Sequence, residues 1–397
     1  MKSNHPLKCL YIYDCRFIKH QNHVYAKGKI TDSVLKRYIE SEDNIVTITR
    51  MEYSSDIDKA TLFTLPNLKF KPIKGLLFSK AFTVHLIDNL KIFSKEIKDA
   101  DFIVTRLPSF LGIFGLLVNF FYKKKFFIEV AGDAQDALLS LKESPSLPFR
   151  VFTQLFFRLN QFFIKHADGV IYVTEYALQE KYPTKGYKSY ASNIEIDIPK
   201  KNFNVECYEL KEPTVKIGMI GDYNNHYKGI TQAIQSINSL KIEGYDATLT
   251  IVGSGSQLSS YKQLAGELGV SDRVHFKGRL KGNTEILNWL ETLDLYIQPS
   301  YTEGLPRALI EAMSVGLPAV ATNVGGISEL LDADDLVASY DSAALANRMK
   351  DFLDSTELRY KKGKLNYIKS KLYDRSKLAE RRLNFWKSCR DLVKSQS

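Results

Sequence analysis

Two carboxylates and a helix start stand close together between Tyr296 and Leu331. Glu303 precedes Gly304-Leu305-Pro306-Arg307, and Glu311 follows with seven residues between the two glutamates. Pro306 falls where a first helical turn begins, a position that tolerates its missing N–H. Leu309, Ile310 and Met313 mark one helical face, Gly316 fits the C-terminus, and Pro318 stops continuation. The N–H groups of a helix start lack intrahelical partners and sit at the positive end of the dipole, so they cradle a phosphate-like anion. Gly304 lets the backbone approach a ligand closely. Glu303 at the rim and Glu311 two turns in can each accept hydrogen bonds from hydroxyl groups. The chemistry on offer is recognition of a hydroxylated anion. Taken singly, the glutamates read equally well as solvated helix residues and the glycines as ordinary turn residues.

The cradle needs strands on both sides. Leu295-Tyr296-Ile297 and Ala319-Val320-Ala321 are short apolar runs suited to buried parallel strands, and Gly325-Gly326 turns into a further helix. The same alternation runs through the whole chain. Strands are expected at 7–13, 44–49, 101–105, 125–131 and 169–174, then at 215–220, 248–252 and 274–278. Helices are expected at 31–40, 79–98, 110–122 and 148–166, and over 360–397. Residues 14–29, 64–76 and 134–148 (with Pro145) read as loops. Strands alternating with helices imply α/β doubly wound parallel sheets. The pattern fades over 197–213, which carries Pro199 and Pro213. This divides the chain into a domain over 1–200, a linker over 201–213, a second domain over 214–375 and a terminal helix over 376–397.

Pro299-Ser300, Glu303-Gly304-Leu305-Pro306, Glu311-Ala312, Gly316-Leu317-Pro318 and Gly325-Gly326 with Glu329-Leu330 share their order and spacing with one family. The stretch resembles the retaining glycosyltransferases of the GT4 type, which have the GT-B fold of two Rossmann-like domains facing a cleft. That resemblance implies a nucleotide-diphosphate sugar as co-substrate, with no metal or other cofactor. It implies that Lys228, before Gly229 and after the strand ended by Gly221, contacts the donor diphosphate. Glu303 would hold the transferred sugar and Glu311 the ribose, with Gly304, Leu305 and Pro306 lining the donor side. The family's second basic residue in the first donor loop is missing, since Asp222, Tyr223, Asn224 and Asn225 stand there. Arg307 is the candidate to compensate. The terminal helix is expected to cross back to the first domain.

On the acceptor side the usual Gly-Gly after the first strand is replaced by Arg16, His20, Asn22 and His23. Arg16 and His23 are acceptor-side candidates or plain solvated loop residues. Arg106, at the carboxyl end of a parallel strand, faces the ligand crevice of an open sheet. It is a candidate for an acceptor phosphate or carboxylate. Asp133 follows the next strand, and the resemblance implies that its loop forms the floor of the site. The acceptor class implied is a glycan or a lipid-linked oligosaccharide of bacterial surface polysaccharide synthesis.

The 397 residues carry a formal net charge of +10, with 44% hydrophobic and 25% charged residues, as globular proteins do. Residues 1–200 hold 29 Lys/Arg against 21 Asp/Glu, a net +8, and the remainder 26 against 24, a net +2. No nucleic-acid motif accompanies this excess, so no nucleic-acid partner is expected. An anionic membrane surface fits it. The helix over 148–166 is basic and rich in phenylalanine, which suits either a membrane interface or the core of the first domain. Cys9, Cys15, Cys207 and Cys389 lack metal-ligand spacing and read as free thiols in a reducing compartment. No secretory signal or spanning segment is evident, so a cytoplasmic protein is expected, with peripheral contact at the inner membrane face left open. Other readings are a sugar-nucleotide epimerase and a non-catalytic membrane-associated binding protein. An NAD-dependent oxidoreductase is disfavoured by the missing G-x-G-x-x-G after the first strand.

Overall fold

The structure, a computed structural model, describes residues 6–28, 30–58, 60–76, 78–139, 146–194, 196–224 and 226–395. Asn225 and Pro145 lie outside them. The first sheet comprises β1 (Lys8–His20), β2 (His23–Ala26), β3 (Asn44–Tyr53), β4 (Thr61–Leu62), β5 (Leu68–Pro72), β6 (Phe102–Leu107), β7 (Lys125–Val130), β8 (Gly169–Tyr172) and β9 (Tyr187–Tyr190). Its parallel part runs β5-β3-β1-β6-β7-β8-β9, and β2 with β4 adds an antiparallel extension on the far half of β1. The second sheet comprises β10 (Val215–Ile220), β11 (Ala247–Val252), β12 (Val274–Gly278), β13 (Leu295–Gln298), β14 (Ala319–Thr322) and β15 (Leu336–Val337), in the order β12-β11-β10-β13-β14-β15.

Both central strands are apolar runs buried on both faces. Cys9, Leu10, Tyr11 and Ile12 of β1 and Ile217 and Met219 of β10 are fully buried. In each sheet the chain winds one way from the first strand and then returns to the other side. The switch points therefore lie between β1 and β6 and between β10 and β13. Ligands of open α/β sheets bind outside the carboxyl ends of strands at such points.

The 14–29 stretch is not a loop. β1 continues to His20 and folds back as β2, with Phe17 opposite Ala26 and His20 opposite His23. A register shift between Ile12 and Arg16 breaks the two-residue alternation there. Phe17 is buried against Phe63 and Phe70, which fixes the extension. The 64–76 stretch contains β5, and helix Ala134–Leu139 forms within 134–148. The helix expected over 79–98 is two helices, Phe78–Phe82 and Leu86–Asp99. Asn89 causes the break: its buried amide donates to the carbonyls of Ala81 and Lys74, at 2.8 and 3.0 Å. Helix 31–40 shortens to Asp32–Leu35 with a 3-10 turn to Tyr38, and the Gly325 turn leads into a 3-10 turn, Gly325–Glu329.

Helix Arg375–Lys394 lies on the first sheet. Trp386 packs edge-on against Tyr38 at 4.7 Å and against Phe127, and Phe385 stacks on Tyr187 at 5.5 Å. Arg390 donates to Glu40 at 2.8 Å.

Candidate active site

The second sheet's switch point brings Lys228 and Glu303 together. After β10 the chain passes Gly221, where an added Cβ would lie 3.3 Å from the Lys228 Cβ, so the lysine stem lies across the glycine. Lys228 ends a 3-10 turn, and Gly229 follows at φ +68. A Cβ on Gly229 would come 1.9 Å from the Pro299 carbonyl oxygen. Only glycine lets the two strand-end loops meet there. Lys228 Nζ then stands 2.5 Å from Glu303 Oε1 and 4.9 Å from the centre of the Tyr227 ring. Glu303 Oε1 also accepts from Ser300 Oγ at 2.8 Å and Gln298 Nε2 at 3.1 Å. Gln298 in turn accepts from the buried Tyr296 hydroxyl at 2.8 Å. A hydrogen-bonded chain thus runs from the sheet interior to Glu303 and fixes its orientation beside Lys228.

The helix after this loop spans Arg307–Ser314, with Pro306 as its N-cap. Its partnerless first-turn amides are therefore those of Arg307, Ala308 and Leu309, because Ile310 N already donates to Pro306 O. Gly304 and Leu305 stand before the helix rather than on it. The tight approach at Gly304 is to the other domain: its Cβ position lies 2.9 Å from the Ala131 carbonyl oxygen. Pro306 is buried and Leu305 half-buried, and Arg307 is exposed. Burial pushes the Glu311 carboxyl up to about 7, with the Arg307 guanidinium pulling the other way. Among the described residues no side-chain partner holds Glu311, unlike Glu303.

The first sheet's switch point carries ionic side chains. Arg106, at the end of β6, has Nη2 3.7 Å from Glu129 Oε1 and lies over the Tyr13 ring at 5.9 Å. Burial pushes the Glu129 carboxyl up, but Arg106 and the hydroxyl donated by Tyr38 hold it below its ordinary value. Arg50, three residues before the end of β3 and level with Arg16 of β1, faces Asp14 at 3.1 Å. Asp14 also accepts from Leu111 N at the start of helix Phe110–Tyr122. The strand read from the sequence stops at residue 49, which would have put Arg50 at a strand end as well; β3 instead continues to Tyr53, and Arg50 is singled out by its ion pair with Asp14.

Asp133 is committed to structure. It accepts from Asp136 N at 2.7 Å and from the Tyr182 hydroxyl at 3.0 Å, and Lys181 Nζ lies 2.7 Å away. Arg16 and His23 stand exposed on the β1–β2 extension. Among the described residues they make no hydrogen bond or ion pair with Lys228, Glu303 or Glu311.

The two walls touch at a few points. Thr302 Oγ1 donates to Asp136 at 3.2 Å. The Glu329 carboxylate accepts from the backbone N–H groups of Glu175, Tyr176 and Ala177 at 2.7, 2.8 and 2.6 Å. Glu329 thereby caps a helix of the first domain from the second. Its place after Gly325-Gly326 belonged to the quoted motif, yet spacing alone gives it no partner.

Comparison with known proteins identifies the family and the fold. Residues 201–367 match the family described as glycosyl transferases group 1. Protein CapJ of Staphylococcus aureus is 30% identical over 364 residues, covering 89% of this chain and 88% of that protein. The lipopolysaccharide core biosynthesis mannosyltransferase LpsB of Rhizobium meliloti is 38% identical over 97 residues, 22% of this chain and 27% of that protein. The crystal structure of Anabaena Alr3699/HepE in complex with UDP-glucose is similar at a TM-score of 0.63, covering 96% of this chain and 100% of that one. At 15% identity that likeness speaks to the fold, which is GT-B.

Proposed function

We propose, from the premise that this chain belongs to the group 1 glycosyltransferases, that it moves a sugar from a nucleoside diphosphate with retention of configuration. The acceptor we propose is a glycan or lipid-linked oligosaccharide of a bacterial surface polysaccharide. The observation that carries the reading is the Lys228–Glu303 pair at the β10/β13 switch point, with Glu303 in the loop that leads directly into helix Arg307–Ser314. A diphosphate entering there takes the Lys228 ammonium and the amides of Arg307 to Leu309 as its donors. Arg307, exposed beside them, adds a second cation. Glu303, released from Lys228, accepts from the hydroxyls of the sugar. Glu311 accepts from the ribose.

The bond between the anomeric carbon and the phosphate oxygen breaks, and its electron pair leaves on the diphosphate. Preorganised donors meet that charge as it grows. The acceptor hydroxyl attacks from the side of departure, so the new bond keeps the configuration, and its proton passes to the leaving phosphate oxygen. No metal has a role in this scheme. On the acceptor side, Arg106 near the end of β6 and Arg50 on β3 are the candidates for an anionic group, more than Asp133. The UDP-glucose bound by HepE and the lipopolysaccharide role named for LpsB support the donor and acceptor classes.

The test is a panel of UDP- and GDP-sugars assayed for nucleotide release with and without oligosaccharide acceptor. The product anomer is read by NMR. Release that depends on acceptor and yields the donor's anomeric configuration is expected. An inverted product sinks the retaining scheme.

A further inference from the structure

Helix Leu147–His166 is amphipathic in an unusual way. Phe156, Phe157, Phe163 and Ile164 face the core. The opposite stripe, at steps of four and three residues, is also largely apolar: Leu147, Val151, Leu155 and Phe162 are 75, 53, 60 and 48% exposed. Helix Phe110–Tyr122 lies beside it, with Phe110 packed 4.3 Å from Phe156. It exposes Phe120 and Phe121, the latter by 84%. A groove of about 400 Å³ runs between the far ends of the two helices, floored by Leu116 and Phe163 and rimmed by Lys123, Lys124, His166 and an Asp168 carboxylate that pairs with Lys125 at 3.2 Å. Residues 110–125 and 147–166 contain six Lys/Arg and no Asp or Glu. Much of the chain's uneven charge is therefore gathered around one exposed aromatic surface.

We infer that this two-helix face docks on an anionic lipid bilayer. An exposed apolar surface is unfavourable in water, and the cations around it give it a preference for an anionic partner. A negatively charged membrane satisfies both the surface and its cations: phenylalanines enter the acyl boundary and lysines meet headgroup phosphates. Charge complementarity selects a bilayer over a second copy of the chain, since two such faces repel each other. No helix among the described residues is long and apolar enough to cross a membrane, so the attachment is peripheral. Helix Phe110–Tyr122 starts at Asp14 in the cleft and ends at the groove, a run of about 20 Å at 1.5 Å per residue. The docked face thus lies one helix length from the acceptor-side strand ends.

Flotation of the full chain with vesicles tests this without donor or acceptor, so its outcome is separate from that of the transfer assays. Binding to phosphatidylglycerol-containing vesicles is expected, with little to phosphatidylcholine alone, and it weakens as salt rises. Phe121→Asp with Leu155→Asp lowers binding about tenfold or more. Lys123→Gln with Lys124→Gln lowers it about 30-fold. Ile242→Asp, at a site 76% exposed in the second domain, leaves it unchanged. Unchanged melting temperatures show that the variants fold. The inference is overturned by absence of flotation with anionic vesicles, by equal flotation with neutral ones, or by binding that survives Phe121→Asp with Leu155→Asp. A dimer in sedimentation that those substitutions disperse overturns it as well.

Discussion

Lys228 and Glu303 neutralise each other across 2.5 Å in this structure, while Glu311 has no such partner and is pushed up to about 7 by burial. The difference has a measurable consequence. A carboxyl whose folded pKa lies above its unfolded value holds an extra proton in the folded state. The stability it brings is complete below the unfolded pKa and is lost as pH rises through about 7. Glu311→Gln abolishes that loss, so at pH 8 the variant should be more stable than the parent by on the order of 2–3 kcal/mol in denaturant unfolding. Ribose hydroxyls bind the ionised carboxylate better. Nucleotide affinity of the parent should therefore tighten as pH rises through about 7, and Glu311→Gln should flatten that profile in calorimetric titrations. Glu303 and Lys228 were legible in the sequence because each precedes a glycine that shapes its turn, and Glu311 through its spacing from Glu303 in the motif. The Gln298–Ser300 support of Glu303 was not, because hydrogen bonding across a strand end leaves no spacing pattern.

At the scale of elements, the contacts between the walls are short loops with little room. Glu329 gathers three backbone N–H groups at the start of helix Ala177–Lys181. Glu329→Ala removes the acceptor of three partly buried donors and should cost about 1–3 kcal/mol. It should also broaden the distribution of domain separations seen by small-angle scattering, and Glu329→Gln should restore part of the loss. The alternation of strands and helices that builds both walls was readable from apolar runs. Irregular segments were misread for identifiable reasons. The bulge between Ile12 and Arg16 shifts the phase of β1, so Asp14 to His20 looks like loop. The split of 79–98 depends on Asn89 reaching the Ala81 carbonyl, a tertiary bond that no local propensity encodes.

Across the whole molecule, the last helix ties the end of the chain to its first domain. Trp386 is 2% exposed beside Tyr38 and Phe127. Trp386→Ala should destabilise the first domain by about 3–5 kcal/mol, read from its denaturant midpoint. The uneven charge, visible from the sequence as a count, became a surface once the two Phe-rich helices were placed side by side. The loop after β13 meets the loop after β7, with Gly304 against the Ala131 carbonyl and Thr302 bonded to Asp136, so the strand-end loops of the two sheets face each other around Lys228 and Glu303. Rapid-quench turnover of a nucleoside diphosphate sugar by Lys228→Ala, checked for parental melting temperature, tests this arrangement most directly. If Lys228 meets the charge of the departing diphosphate, the rate of bond cleavage drops about 10²–10³-fold with donor saturating. Cleavage at the parental rate would contradict it.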